Sequence, residues 1–388
     1  MRKWDALLIV AFFTFLLMSL LLTPKEPVSL ENAQKGSLVE FSGVCVYSSG
    51  DFSVLSNGSR SVPVYASLEI GKVYKVVGVF DGRGIKPREV GDGLISLQTF
   101  VGAYWFDNGP QLLMPERIWL LTELNISKGT IIEVKGLFHG RKLVPVSYTV
   151  LGRSEQPRDG MPFKLRGTVI YGGNPATLWW WGEAVRIYLP KGIELEPGTL
   201  VEVLGVIRVR STLVLYVNDP ADVRKLGSAL EVPLGEAEVG DVVRSSCRVV
   251  GRSGRGLKLE CLDKPLAGFE ARTGDLIVFR ALKRPGSYLC LECSVIEERE
   301  SLENSICFPG SGVRRISGTV SWVKVYSNGF GLANVTERGC WVLLKLRKSL
   351  NITLSPGERV DAYGFFTEYR GFSAFEVQGR EDICWGSS

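Results

Sequence analysis

Histidine is almost missing from this chain of 388 residues, in which His139 is the only one. The sequence has no H-E-x-x-H motif, and nothing in it indicates a Ser-His-Asp arrangement around this single residue. A Walker loop and a dinucleotide fingerprint are absent as well. We therefore predict no catalytic residues and no cofactor. One alternative stays open, because the carboxylate pair of a glycoside hydrolase needs no local motif, and Glu183 would be its first candidate.

A helical period is also absent after the first residues, and the only long apolar run lies at the start of the chain. Two basic residues precede this run, which extends from Ala6 to Leu22 and is followed by no A-x-A cleavage pattern. Its length is at the lower limit for crossing a bilayer, and basic residues ahead of it favour a cytoplasmic N-terminus. We predict an uncleaved single-pass membrane anchor at 1–23, a linker at 24–35, and an extracellular location for the rest. A cleaved signal peptide is the alternative.

Glycosylation acceptors support the external location. The chain has more N-x-S/T sequences than chance would give, although asparagine is scarce. The acceptors are Asn57, Asn125, Asn334 and Asn351.

The cysteines are even in number, eight in all, and most of them lie after residue 240. Cysteines of a protein outside the cell form disulfides. Zinc binding is the rival interpretation for Cys290-x-x-Cys293, but the chain has no second C-x-x-C pair and only one histidine. The sequence therefore predicts disulfides and no metal site.

Short alternating apolar runs, broken by Gly, Pro, Asn and Asp, fill the chain after the anchor and predict an all-β fold. Two signatures recur among them. One is a strand with a central glycine, as in "LRGTVIYGG" (165–173), and the other is a turn glycine before a strand that ends in glycine, as in "EPGTLVEVLG" (196–205). Glycine inside a strand marks a bulge or a sharp bend, as barrel corners need. The first signature has Gly43, Gly167 and Gly318, and the second has Gly78, Gly205 and Gly364.

Two further copies of the repeat are degenerate. Residues 128–150 carry the second signature, with Gly136, and residues 95–121 would form the first half of that unit. In residues 240–297, Ser246 is predicted to take the place of the first glycine and Arg280 that of the second.

This pattern resembles the oligonucleotide/oligosaccharide-binding (OB) fold, in which a glycine-bent first strand, a hairpin of strands two and three, and strands four and five form a Greek-key barrel. The resemblance covers nearly everything after residue 36 at superfamily level, and the chain looks like the tandem barrels in exported proteins of heat-loving archaea. The helix usual between strands three and four has only short loops available, such as 191–197. The resemblance implies about five tandem OB-like Greek-key barrels after the transmembrane helix. They are 36–94, 95–153 (degenerate), 160–228, 229–300 (degenerate) and 312–386.

The same resemblance implies two disulfides. Strand three and the segment after strand five can meet at one end of such a barrel, which favours a bond between Cys340 and Cys384. Cys247 and Cys261 flank a hairpin and are expected to pair across it, although the C-x-x-C pair on strand five also borders strand one. Cys45 has no evident partner.

Three consecutive tryptophans, Trp179, Trp180 and Trp181, lie in "ATLWWWGEAVRIYLP" (176–190). Side chains alternate along a strand, so Trp179 and Trp181 are expected on one face and Trp180 on the other. By the resemblance, this is the hairpin of strands two and three, across which OB folds bind their ligands. Apolar residues alternate inward on strand three, which leaves Arg186 and Tyr188 facing out beside at least one tryptophan. Two interpretations stay open: stacking on bases or sugar rings, and packing against a neighbouring barrel.

A basic turn is the second candidate binding site. Arg252, Arg255 and Lys258 lie among glycines between strands one and two of the fourth unit, and glycine-rich basic loops can hold phosphate. Exposed hairpin tips are also basic for solubility alone. The net charge of +5 is small for this length and neither requires nor excludes a polyanionic partner.

The sequence as a whole predicts a membrane-anchored, extracytoplasmic and non-catalytic binding or scaffold protein. Its expected partners are other surface proteins or glycans. One alternative is single-stranded nucleic acid binding in the uptake or export of DNA, and another is a purely structural spacer. Phosphate binding would weaken steeply with salt, whereas a protein or sugar interface would not.

Overall fold

The computed structural model describes residues 10–16, 18, 26–113 and 116–386. Residues 10–16 and Met18 are helical, and the rest of the described chain is built from strands joined by turns and short 3-10 helices. These three-residue helices are Leu30–Asn32, Pro220–Asp222, Leu234–Glu236, Arg299–Ser301, Lys348–Leu350 and Arg380–Asp382. The all-β prediction is thus confirmed. Within the described residues, no helix combines the length and the apolar character that a membrane crossing requires. The predicted anchor lies largely outside the described residues and stays a prediction.

The first of two compact units, Met1–Phe163, contains two five-stranded sheets, and each closes into a barrel. Sheet 1 has β1 Leu38–Ser49, β2 Phe52–Ser56, β3 Ser61–Val64, β4 Val73–Phe80 and β5 Ile85–Asp92. Sheet 2 has β6 Gln98–Phe106, β7 Pro110–Leu113, β8 Ile118–Leu120, β9 Thr130–His139 and β10 Lys142–Arg153.

The second unit, Lys164–Ser388, contains three six-stranded sheets. Sheet 3 has β11 Pro162–Tyr171, β12 Ala176–Trp180, β13 Glu183–Tyr188, β14 Thr199–Val209, β15 Leu213–Tyr216 and β16 Val223–Ser228. Sheet 4 has β17 Glu231–Val232, β18 Val242–Ser253, β19 Gly256–Leu259, β20 Leu266–Ala267, β21 Leu276–Lys283 and β22 Tyr288–Glu297. Sheet 5 has β23 Arg314–Val325, β24 Gly331–Glu337, β25 Cys340–Leu346, β26 Arg359–Tyr369, β27 Phe372–Val377 and β28 Ile383–Gly386.

One strand order recurs in all five sheets. In sheet 1 the order is β1-β2-β3-β5-β4, with β4 hydrogen-bonded back to β1, and the other four sheets repeat it. Sheets 3 and 5 each have an extra strand at the end of the chain segment: β16 pairs with β14, and β28 pairs with β26. In sheet 4 the extra strand comes first, and β17 pairs with β18. Each sheet buries an apolar core of its own, for example Leu55 and Val76 in sheet 1 and Val335 and Phe375 in sheet 5.

The repeated glycines lie where two strands approach closely. A Cβ added to Gly318 would lie 2.6 Å from the carbonyl oxygen of Thr336, and one added to Gly364 would lie 2.2 Å from that of Glu376. Only glycine fits at such a distance without moving a backbone segment. The remaining signature glycines meet a neighbouring carbonyl oxygen at 2.8 Å or less: Gly43, Gly78, Gly136, Gly167 and Gly205.

The fourth sheet departs from the predicted alignment by one residue. In sheets 1 and 5 the second glycine pairs with the residue four positions before the first glycine, as Gly78 pairs with Val39. In sheet 4 the corresponding pair is Val243 with Ala281, four residues before Cys247, because Ala281 directly follows a bulge as Gly78 does. Cys247 and Ala281 therefore take the two glycine positions, and the predicted assignments to Ser246 and Arg280 are wrong. Cys247 also lies two residues before the start of the bulge in β18, as Gly43 does in β1, which supports the same alignment.

Three disulfides lie in the second unit: Cys247–Cys261, Cys290–Cys293 and Cys307–Cys340. The first confirms its prediction. The Cys290–Cys293 pair lies on one strand, where Leu291 is the extra residue of a bulge opposite Arg280 and Ala281. Residues three apart normally face opposite sides of a strand, and the bulge brings these two cysteines to the same side.

The predicted bond between Cys340 and Cys384 is wrong. Cys340 opens β25, whereas Cys384 lies on β28, and β27 and β26 separate these two strands. Three strand spacings amount to about 14 Å, far beyond the roughly 7 Å between Cα atoms that a disulfide allows. Cys384 is an exposed free thiol, and Cys45 is a buried one whose pKa is raised by burial.

A buried ion pair connects the fourth and fifth sheets. Arg299 follows β22, and its guanidinium packs over the ring of Tyr363 and donates from Nη1 to the carbonyl oxygen of Glu381 at 3.1 Å. The same nitrogen lies 3.8 Å from Oδ1 of Asp382, which is 1% exposed. Burial raises the pKa of Asp382 above its ordinary value of 3.8, despite the nearby Arg299.

We expect Asp382→Asn to change how stability depends on pH. The pKa of Asp382 is higher in the folded state than in the unfolded chain. The favourable contribution of Asp382 to the free energy of unfolding is therefore fully present below about pH 3.8 and is lost as pH rises through the folded-state pKa. The neutral asparagine does not titrate, so the free energy of unfolding of the variant relative to wild type should increase between about pH 4 and pH 7. Calorimetric unfolding of both proteins across this range measures the difference. A constant difference at all pH values would contradict the shifted pKa.

Candidate functional site

The tryptophan run forms a tight hairpin rather than a continuous strand. β12 ends at Trp180 and β13 begins at Glu183, with Trp181 and Gly182 as the two turn residues. Both have positive φ, 48° and 87°, as a two-residue hairpin turn requires. Trp181 is consequently 90% exposed at the tip, and the prediction that it shares a strand face with Trp179 is wrong.

Trp179 packs against the next sheet. It lies opposite Ala184 on the outward face of the hairpin. Its Cδ1 is 3.2 Å from the position that a Cβ would take on Gly240, which precedes β18. A larger residue at position 240 would collide with the indole ring. Of the two interpretations left open by the sequence, packing between barrels is the one that fits Trp179.

The other predicted outward residues do lie on the outer face of sheet 3. Arg186 is exposed, and Tyr188 is partly covered by the ring of Tyr216, which is stacked at 4.9 Å between centroids. Val185 and Ile187, which alternate with these two residues along β13, are fully buried, as predicted. Trp180 is half-buried at the end of β12, opposite Glu183. This face therefore gathers no open cluster of the three tryptophans.

The basic turn does not bring its three cations together. Arg252 lies opposite Leu257, whereas Lys258 lies opposite Gly251, so the two side chains leave opposite faces of the hairpin. Arg255 is in the turn itself. Arg252 donates to the carbonyl oxygen of Ala271 at 3.3 Å. The geometry gives no single pocket for a phosphate here.

Three of the four acceptor asparagines are exposed: Asn57, Asn125 and Asn351. Asn334 is different, because it is half-buried in the middle of β24. Its Nδ2 donates to the hydroxyl of Ser321 at 2.8 Å, so the nitrogen that would carry a glycan is already bound in the folded chain.

Asn334 lines a surface cavity that sequence reasoning missed. This cavity, of about 380 Å³, is on the outer face of sheet 5, and we call it the aromatic groove. Its aromatic walls are Trp322, Trp341, Tyr369 and Phe372, and its remaining lining is Asn334, Thr336, Leu343 and Arg370.

Strand register explains how the groove is assembled. Trp322 on β23 lies opposite Asn334 on β24, which in turn lies opposite Leu343 on β25. One step along the same face, Thr336 lies opposite Trp341. Residues opposite one another on neighbouring strands point to the same face, so these side chains form two adjacent rows.

The far wall comes from the hairpin between β26 and β27. Phe372 follows the turn of Arg370 and Gly371, both of which have positive φ, and its ring lies 6.0 Å from that of Trp341. Tyr369 precedes the turn, and a hydrogen bond with Tyr326 raises the pKa of its hydroxyl. The large side chains around the opening remain accessible, with Trp322 42% exposed, Trp341 45% and Phe372 53%.

Among the described residues, no three His, Cys, Asp or Glu side chains converge into a group able to hold a metal ion. Among its described lining residues, the aromatic groove offers rings, one amide, one guanidinium and the hydroxyls of Thr336 and Tyr369, and none of these residues carries a carboxylate. Such an arrangement can bind a ligand. No protein-family model matches the chain, and no curated protein matches it either.

We expect substitutions of Trp179 and Trp181 to differ in their effect on the free energy of unfolding. Trp179→Ala should lower the free energy of unfolding by about 1–3 kcal/mol, because a half-buried indole loses its contact with Gly240. Trp181→Ala should change it by less than about 0.5 kcal/mol, because the side chain is exposed. Chemical denaturation of the two variants measures both values. Equal losses would contradict the packing role of Trp179.

Proposed function

We propose that this chain is a non-catalytic binding protein, built from five OB-like barrels and held by its N-terminal segment at the outer face of a membrane. The strand order shared by all five sheets supports the OB-like assignment. Three disulfides support an oxidising location, since disulfides are rare in cytosolic proteins. The apolar run from Ala6 to Leu22 supports the anchor.

The aromatic groove is the single observation that carries the binding function. Sheet 5 has a complete buried core without the groove, including Val335, Leu344 and Phe375. The accessible rings of Trp322 and Trp341 are therefore not required to fill the barrel. Exposed apolar rings that converge on one cavity are typical of a ligand site rather than of an inert surface.

Single-stranded nucleic acid binding is the second candidate, because bases also stack on aromatic side chains. The groove disfavours it, since among its described lining residues only Arg370 is charged. The spacer function draws support from the contact between Trp179 and Gly240, but it leaves the aromatic groove without a role.

We expect the groove tryptophans to matter little for folding. The combined substitution Trp322→Ala and Trp341→Ala should lower the free energy of unfolding by about 2 kcal/mol or less, because both side chains are already half-exposed. Phe375→Ala is the matched core control and should cost about 3–5 kcal/mol, because Phe375 is fully buried. Denaturant titration compares them. A loss in the double variant as large as the core control would mean that the groove is structural.

The location is testable through the exposed thiol of Cys384. A maleimide that cannot cross membranes should label this cysteine on intact cells, because it is free and exposed, whereas Cys45 is buried. Cys384→Ser should abolish the label and is the matched control. Labelling that begins only after the cells are permeabilised would overturn the proposed external location.

A further inference from the structure

We propose that the aromatic groove binds a neutral chain of pyranose sugars, an inference that rests on the proposed binding function. The aromatic rings of the groove, the neutral residues between them and the low charge of the lining favour this class of ligand.

The ring faces match the apolar faces of sugars. One face of a pyranose is a patch of C–H groups edged by hydroxyls, and it needs a flat apolar platform with hydrogen-bonding groups beside it. The indoles of Trp322 and Trp341 provide platforms that are half-exposed. Asn334 and Thr336 lie between them on β24.

The two polar residues on β24 are neutral and can pair with hydroxyls. The Thr336 hydroxyl donates to the carbonyl oxygen of Thr319 at 3.1 Å and still has lone pairs to accept from a ligand. Asn334 Nδ2 gives one N–H to Ser321 and keeps a second. These groups suit a ligand that carries many hydroxyls and no charge.

The charge of the lining argues against a polyanion. Phosphate backbones are bound through several lysines and arginines at once, and Arg370 is the only cation among the described residues that line the groove. The neighbouring Lys345 is already bound to Thr367 and Glu376. The groove therefore offers aromatic rings on which bases could stack, but its described lining has a single cation to pair with phosphates.

The sheet argues against an extended peptide. Peptides that add to a sheet need an unpaired strand edge. Both strands below the groove are paired on each side, β24 with β23 and β25, and β25 with β24 and β27. Among the described lining residues, Leu343 is the only aliphatic one.

The distance between the platforms indicates a chain rather than a single sugar. Trp322 and Trp341 are two strands apart and one same-face step apart along the strands, which places their backbones about 12 Å from each other. At this spacing the two indoles offer separate platforms for two residues of one sugar chain. A linear oligosaccharide that lies across β24 can reach both.

The test is calorimetric titration of the full-length chain in phosphatidylcholine nanodiscs, which contain no sugar. The probes are neutral hexasaccharides of glucose, mannose and N-acetylglucosamine, the three monosaccharides, oligothymidylate, and an unrelated apolar peptide. We expect at least one hexasaccharide to bind with little dependence on salt, and at least about ten times more tightly than its monosaccharide, since only the chain reaches both platforms.

Three variants make the assignment specific. The combined Trp322→Ala and Trp341→Ala substitution should weaken hexasaccharide binding by about 30-fold or more, as expected for two lost stacking platforms. Thr336→Val, which keeps the shape and removes the hydroxyl, should weaken it by about two- to tenfold. Trp181→Ala is the matched tryptophan control on sheet 3 and should leave it unchanged.

Two other results would each overturn the proposal in a different way. Binding of oligothymidylate or the peptide, lost in the double tryptophan variant, with no binding of any hexasaccharide, would show that the sugar class is wrong while the groove remains a binding site. Absence of binding by every probe would reject both the ligand class and the proposed binding function.

Discussion

The structure depends on the close approach of strand backbones at the points where each sheet folds back on itself. At Gly364 an added Cβ would lie 2.2 Å from a carbonyl oxygen of the neighbouring strand, and at Gly78 the distance would be 2.3 Å. No side chain fits there, so these positions are sterically restricted to glycine. Closure in turn places alternate residues of every strand inside a small core and leaves the others on an outer face. The inner face is therefore constrained by packing, while the outer face is free to differ from sheet to sheet.

Two outer faces show what this freedom allows. On sheet 3 the indole of Trp179 is covered by the backbone at Gly240, where the absence of a side chain lets the next sheet come close. On sheet 5 the indoles of Trp322 and Trp341 keep nearly half of their surface accessible. The same residue type thus stabilises a contact between barrels in one place and lines an open cavity in the other. The role of a tryptophan on an outer face therefore depends on whether a neighbouring sheet covers its ring.

Sequence patterns predicted the features that depend on short-range order. The glycine positions, the inward Val185 and Ile187, and the Cys247–Cys261 bond all follow from alternation and spacing within one or two strands. The aromatic groove could not be predicted in this way, because Trp322, Trp341 and Phe372 come from three strands and are isolated in the sequence. The run Trp179–Trp181 attracted attention by its local density, yet a hairpin turn divides it. The Cys340 pairing failed for a related reason, since strand order and not strand number decides which cysteines meet.

The fourth sheet shows how the closure constraint can be met without glycine. Its two closure positions hold Cys247 and Ala281. Ala281 has the smallest side chain after glycine and is fully buried. At the other position, sheets 1, 3 and 5 have a glycine that lies close to a carbonyl oxygen near the end of their second strand. In sheet 4 this position is Cys247, which forms a disulfide with Cys261, just after β19. A disulfide restricts the unfolded chain and holds the first strand beside this hairpin. Sheet 4 thus has a covalent bond where sheets 1, 3 and 5 have a close backbone contact, and it has the common strand order with no glycine at either closure position.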